Sequence, residues 1–118
     1  MKPRDYDSII DIYSATVQVG IYIAGKERED FLADEMCQDA VIRQLEIIGE
    51  AVTRISAEYK ATLPVIPWRK MAGLRNILIH AYDDVDLEEV WMIATQAVPQ
   101  LARDLKSIPG FNLDDEIE

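Results

Sequence analysis

The stretch Pro67–Tyr82 reads P-W-R-K-M-A-G-L-R-N-I-L-I-H-A-Y and carries the most distinctive chemistry of the chain. It contains the only histidine, His80, with Arg75 five residues before it and Tyr82 two residues after it. Pro67 suits the first turn of a helix, where its missing N–H is not needed. Arginine and imidazole groups that lie close together can bind a phosphate and exchange protons near neutral pH. The stretch therefore predicts a helix with candidate phosphate chemistry.

A helical wheel drawn at ~100° per residue separates this stretch into three strips. The strip predicted to face the core holds Met71, Leu74, Leu78 and Ala81. The opposite, polar strip holds Arg69, Gly73, Asn76 and His80. Arg75 and Tyr82 share a third strip, so Arg75 and His80 lie about 140° apart on an ideal helix. They can meet at one phosphate if the helix loosens at His80, or if two copies of the helix meet across a two-fold axis.

Asn76 precedes His80 by one helical turn, so its amide is predicted to orient the imidazole ring. Purely structural interpretations stand beside these roles. A histidine near the end of a helix can act as an electrostatic cap, and an arginine can pair with one of the many carboxylates. The spacing R-x4-H alone does not decide between them.

Composition points to one globular domain and restricts its partners. The 118 residues are 49% hydrophobic and 29% charged, which predicts a single domain over 1–109 followed by an acidic, frayed tail over 110–118. The net charge of −10 argues against broad nonspecific binding to DNA or RNA, although it allows a local basic pocket. The single cysteine, Cys37, leaves no internal disulfide or Cys/His zinc site and suits the cytoplasm. We expect no metal, no cofactor, no membrane span and no signal peptide.

Helical periodicity dominates the remaining sequence. We predict a first helix from Asp5, as its cap, to Ala24, a second from Asp34 to Glu58, and a last one from Asp86 to Ser107 with a kink or break at Pro99. Their apolar stripes are Ile9, Ile10, Tyr13, Val17, Ile21 and Ala24; Met36, Ala40, Val41, Leu45, Ile48, Val52 and Ile55; and Val90, Ala94, Ala97, Val98, Leu101 and Leu105. The chain is predicted to be an all-α, up-and-down bundle of four main helices plus short helical turns.

Two details of the second helix bear on the site. Gly49 lies inside it, and either another helix, including one from a second subunit, approaches closely there or the glycine is merely tolerated. Glu50 and Arg54 are four residues apart and are predicted to pair.

The longer pattern resembles the HepT-like toxin family of the HEPN superfamily. The matching residues are Pro67, Trp68, Arg69, Gly73, Arg75, Asn76, His80 and Tyr82, followed by Asp83, Val85, Asp86, Val90 and Trp91. The stretch from Asp34 to Ala51 is similar to the family as well. The resemblance covers about Asp5 to Ser107.

The resemblance implies a homodimeric HEPN-like bundle and a metal-independent endoribonuclease that cuts RNA by attack of its 2′-hydroxyl. Arg75 and His80 would be catalytic, with Asn76 in support. It also implies a type VII-like toxin–antitoxin system, whose partner, a minimal nucleotidyltransferase, transfers AMP to Tyr82 and so neutralises the toxin.

Two alternatives accompany this interpretation. The first is a noncatalytic HEPN module that binds a nucleotide or the nucleotidyltransferase partner. The second is a structural helical protein whose motif serves packing and capping. Digestion of RNA separates the enzyme from both.

Overall fold

The computed structural model describes residues 2–79 and 85–109, without the side chains of 77–79, and in these ranges the chain is all-α, as predicted, with no strand. The four main helical stretches of the prediction are present, joined by short helices. The α-helices are α1 (Pro3–Ile23), α2 (Arg28–Leu32), α3 (Glu35–Thr53), α4 (Ala57–Thr62), α5 (Trp68–Ala72), α6 (Leu74–Ile79), α7 (Leu87–Met92) and α8 (Val98–Lys106), and a π-helical segment (Ile93–Ala97) joins the last two. No helix among the described residues is long and apolar enough to cross a membrane.

The two longest helices, α1 and α3, pack against each other, and α8 covers a second side of α1. The buried strip of α1 differs from the predicted stripe. Ile12, Ala15 and Val19 are fully buried, whereas Ile21, which was predicted to face the core, is 59% exposed. The strip also contains three buried polar residues, Asp5, Ser8 and Thr16. Because these residues are polar, the pattern of apolar residues alone did not indicate the correct buried face. Met36 was likewise predicted to be buried but is 82% exposed at the start of α3.

The second long helix ends at Thr53, five residues before its predicted end at Glu58. A new helix, α4, begins after Ser56, whose hydroxyl oxygen accepts a hydrogen bond from the backbone N–H of Tyr59. Asp5 was predicted to cap the first helix, but α1 begins two residues earlier, at Pro3. The buried Asp5 carboxylate instead accepts hydrogen bonds from the Ser56 backbone N–H (2.7 Å) and hydroxyl (2.8 Å). The same aspartate therefore joins the start of α1 to the start of α4.

The last helical stretch confirms the predicted cap, and its hydrogen bonding changes just before Pro99, where a kink or break was predicted. The Asp86 carboxylate accepts hydrogen bonds from the backbone N–H groups of Glu88 and Glu89. A π-helical segment precedes Pro99, in which the Val98 N–H donates to the carbonyl of Ile93. Because a π turn holds more residues than an α turn, the apolar stripe shifts there, and Ala97 is exposed although it was predicted to be buried.

The short helix α2 packs against α7. The rings of Phe31 and Trp91 lie 5.3 Å apart between centroids, tilted by 35°. Arg28 forms an ion pair with Glu88 beside them. These contacts place the start of α7, which follows the predicted motif in sequence, against the core.

Candidate active site around Arg75

The predicted central helix consists of two short helices, α5 and α6, which meet at Gly73. Its start is anchored by Trp68, whose indole N–H donates to the carbonyls of Lys60 and Leu63 at 3.1 Å each. Met71 is buried, as the wheel predicts. The Asn76 N–H bonds to the Gly73 carbonyl three residues back, so α6 begins with a tight turn. The site arginine thus lies in the first turn of a separate helix.

Arg75 lies directly against α3 at Gly49. A methyl group on Gly49 would lie 2.7 Å from Cγ of Arg75 and 2.9 Å from its backbone nitrogen. Carbon atoms do not approach this closely, so only glycine permits the contact. Of the two interpretations that the sequence left open at Gly49, the structure supports the close approach of a helix, and that helix is α6 of the same chain.

The guanidinium of Arg75 forms an ion pair with Glu50, with 3.0 Å between Nε and Oε2. The predicted pairing of Glu50 with Arg54 is wrong, because Arg54 pairs with Asp11 of α1 at 3.2 Å. Sequence reasoning missed Glu50 as a member of the site. Its position next to Gly49 was the available signal, since a helix that packs on the glycine also lies beside its neighbour.

Arg75 remains accessible to a ligand. Its side chain is 38% exposed, and that of Glu50 is 53% exposed. Asn76, the next residue, is exposed, as expected from the polar strip. His80, Ala81 and Tyr82 lie outside the described residues, and the side chain of Leu78 lies outside them as well. The structure therefore brings Glu50 to Arg75, while the meeting of Arg75 with His80 stays a prediction.

An apolar cavity of about 370 Å³ lies beside the same helices. Its walls come from α3, α5, α6, α7, the π-helical segment and α8, and its charged lining residues are Lys70 and Glu89. A cavity with so little polar lining does not suit a phosphate. The described residues also contain no group of three or more His, Cys, Asp or Glu side chains that could hold a metal ion. Arg75 is therefore the group that we consider for phosphate binding.

The helical bundle, together with the R-x4-H-x-Y sequence that starts on α6, defines a HEPN-type helical protein. A family model described as ribonuclease HepT-like matches residues 12–108, and the chain belongs to this family.

Relatives support this membership over nearly the whole chain. A protein of Thermococcus cleftensis named probable ribonuclease HepT is 43% identical over 101 residues, covering 86% of this chain and 92% of that protein. A putative RNase of Methanocaldococcus jannaschii is 35% identical over 109 residues, covering 92% of this chain and 100% of that protein. No solved structure matches the chain.

Proposed function

We propose that this protein is a metal-independent endoribonuclease and the toxin of a toxin–antitoxin pair. The observation that carries the proposal is the placement of Arg75. Gly49 and Glu50, two successive residues of α3, contact it, and its side chain remains 38% exposed. The name of its family and the names of its relatives support RNA as the substrate.

The proposed reaction needs a proton acceptor and a cation, and the motif supplies both. The 2′-hydroxyl of RNA attacks the adjacent phosphorus and the bond to the 5′-oxygen breaks, which leaves a 2′,3′-cyclic phosphate and a 5′-hydroxyl. His80 exchanges protons with these oxygens, a contribution of ~10²–10⁴ in rate. Arg75 stabilises the negative charge that builds up on the phosphate oxygens. Asn76 orients the imidazole of His80.

Two copies of the chain are proposed to complete the site. An ideal helix separates Arg75 from His80 by about 140°, and the break at Gly73 precedes both residues and so does not change this offset between them. A two-fold interface would let Arg75 of one subunit face the imidazole of the other, and it would form two such sites.

The proposed off-switch is Tyr82. A partner nucleotidyltransferase transfers AMP from ATP to the phenolic oxygen, and pyrophosphate leaves. The added nucleotide occupies space at the rim of the site and brings a phosphate charge that repels RNA. Incubation with the partner and ATP should add the mass of AMP to the wild type and not to Tyr82→Phe, as read by mass spectrometry. Equal modification of both proteins would show that Tyr82 is not the acceptor.

RNA digestion tests the proposed activity itself. The unmodified wild type should cleave bulk RNA in EDTA, and folded Arg75→Ala and His80→Ala variants should not. Intact RNA with the unmodified wild type would contradict the enzyme and favour the noncatalytic module.

A further inference from the structure

We infer that Glu50 is a positioning residue, which fixes the guanidinium of Arg75 for a phosphate of the RNA; this inference rests on the proposed function. The contact joins Oε2 of Glu50 to Nε, the inner nitrogen of the guanidinium, at 3.0 Å. An arginine has five N–H donors, and four of them lie on the two outer nitrogens. The carboxylate at Nε therefore holds the tip of the side chain beside α3 and leaves the four donors of the two outer nitrogens for a phosphate.

The contacts of α3 restrict the Arg75 side chain at both ends. Gly49 lies against the backbone nitrogen and Cγ of Arg75, at the base of the side chain. Glu50, the next residue of α3, lies against Nε near its tip. Two neighbouring residues of one helix thus limit both the first and the last torsions of a long side chain. Such restriction serves a site that needs one guanidinium geometry.

Other carboxylates and cations nearby are already paired. Arg54, directly after the end of α3, pairs with Asp11, and Glu46, one turn before Glu50, pairs with Arg43 at 3.2 Å. Among the residues that the structure describes, Arg75 is the cation that contacts Glu50, and no second carboxylate contacts Arg75. The outer nitrogens therefore have no acidic competitor within that part of the chain.

Stability does not account for this ion pair. Both side chains are more than one-third exposed, and exposed pairs of this kind contribute little to folding because water screens them. A carboxylate beside a phosphate site also repels a polyanionic substrate. An acidic residue that opposes substrate binding and adds little stability is explained by its effect on the geometry of Arg75.

The test compares three variants of α3 in the full-length protein. Cleavage is followed with a mixed-sequence RNA oligonucleotide that carries a fluorophore and a quencher. Glu50→Ala removes the acceptor and should lower kcat about tenfold or more, since small displacements of a catalytic group cost up to ~10²-fold. Glu50→Gln keeps an oxygen that can accept from Nε–H, so its kcat should stay within about threefold of the wild type. Its KM should fall, because a repelling charge is removed. Glu46→Ala is the matched control and should behave as the wild type.

Two further measurements separate positioning from a merely structural role. In an Arg75→Lys background, which has no Nε–H, Glu50→Ala should change kcat by less than about twofold, because the two residues act as a unit. The Arg75 Nε–H signal in a proton–nitrogen NMR spectrum should be protected from exchange in the wild type and in Glu50→Gln, and lose its protection in Glu50→Ala. The melting temperatures of all α3 variants should agree.

The outcomes distinguish this inference from the proposed function. If the wild type cleaves RNA and Arg75→Ala does not, but Glu50→Ala retains the wild-type kcat, the positioning role is wrong and the enzyme stands. A rise in kcat in Glu50→Ala, or an equal loss in Glu50→Ala and Glu50→Gln, also contradicts it. If the wild type leaves the oligonucleotide intact, the proposed function fails. Independently of activity, unchanged protection of the Arg75 Nε–H in Glu50→Ala would overturn the contact on which the inference depends.

Discussion

Gly49 and Arg75 are in direct contact between α3 and α6: a methyl group on Gly49 would lie 2.7 Å from Cγ of Arg75. The same group would meet the Arg75 backbone nitrogen at 2.9 Å and the Met71 carbonyl oxygen at 3.3 Å. Two of these three atoms belong to the backbone, which cannot move aside as a flexible side chain can. A single missing side chain therefore sets how closely the arginine helix packs on α3.

Gly49→Ala should destabilise the protein and displace Arg75. Overpacking costs ~1–3 kcal/mol, which exceeds the gain of up to ~1 kcal/mol from replacing a helical glycine by alanine. Gly20→Ala is the matched control, because Gly20 lies in α1 and a methyl group there would meet nothing within 4 Å. It should stabilise by ~0.5–1 kcal/mol. Urea unfolding measures both. Equal stabilisation by the two substitutions would contradict the close packing at Gly49.

Asp5 should make the free energy of unfolding depend on pH in the acidic range. Burial raises the pKa of Asp5, but the hydrogen bonds from the Ser56 N–H and hydroxyl and the charges of Lys2 and Arg4 together outweigh it, and the pKa of this carboxyl lies below its ordinary 3.8. Because the folded pKa is depressed, the ionised carboxylate stabilises the fold above pH ~4. That stability disappears as the pH falls through the folded value.

The measurement for Asp5 is the free energy of unfolding of wild type and Asp5→Asn across pH. The wild type should be more stable at neutral pH by ~1–3 kcal/mol, as expected when a charged hydrogen-bond acceptor is lost. The difference should close below pH ~4. Asp7→Asn, an exposed position in the same helix, serves as the control and should show no such difference. A gap between wild type and Asp5→Asn that persists unchanged in acid would refute the role of the ionised carboxylate.

The proposed two-fold site predicts complementation between inactive variants. Arg75→Ala retains His80, and His80→Ala retains Arg75, so a heterodimer of the two contains one complete site if each site uses both subunits. Co-expressed in equal amounts, they should recover about a quarter of wild-type cleavage, since half of the dimers are mixed and each mixed dimer has one of two sites. A mixture as inactive as its components would place both residues of a site on one chain. Sedimentation as a monomer at micromolar concentration would also exclude the dimer.

The sequence predicts the all-α bundle well because its signals are local. Asp86 caps α7 as expected, and a π-helical segment precedes Pro99, where a kink or break was predicted; each residue acts on groups a few residues away. The buried strip of α1 was harder to predict, because it includes polar residues such as Asp5 and Thr16. Their burial depends on how other helices pack against α1, which helical periodicity does not reveal.

The site shows the same division between local and long-range information. The wheel places Met71 inward and Asn76 outward correctly, because both follow from helical periodicity. The partner of Glu50 does not follow from it. Helix spacing favours Arg54, four residues away. The actual pairs depend on packing between helices: α6 packs on α3 and brings Arg75 to Glu50, and α1 brings Asp11 to Arg54.

The most direct test of the central claim is cleavage of bulk RNA in EDTA by unmodified wild type beside Arg75→Ala and His80→Ala, all purified identically and shown to be folded by circular dichroism. The wild type should produce fragments that end in a cyclic phosphate, and each variant should be slower by ~10²-fold or more. Intact RNA with the wild type, or equal cleavage by all three proteins, would contradict the claim that Arg75 and His80 form a metal-independent ribonuclease site.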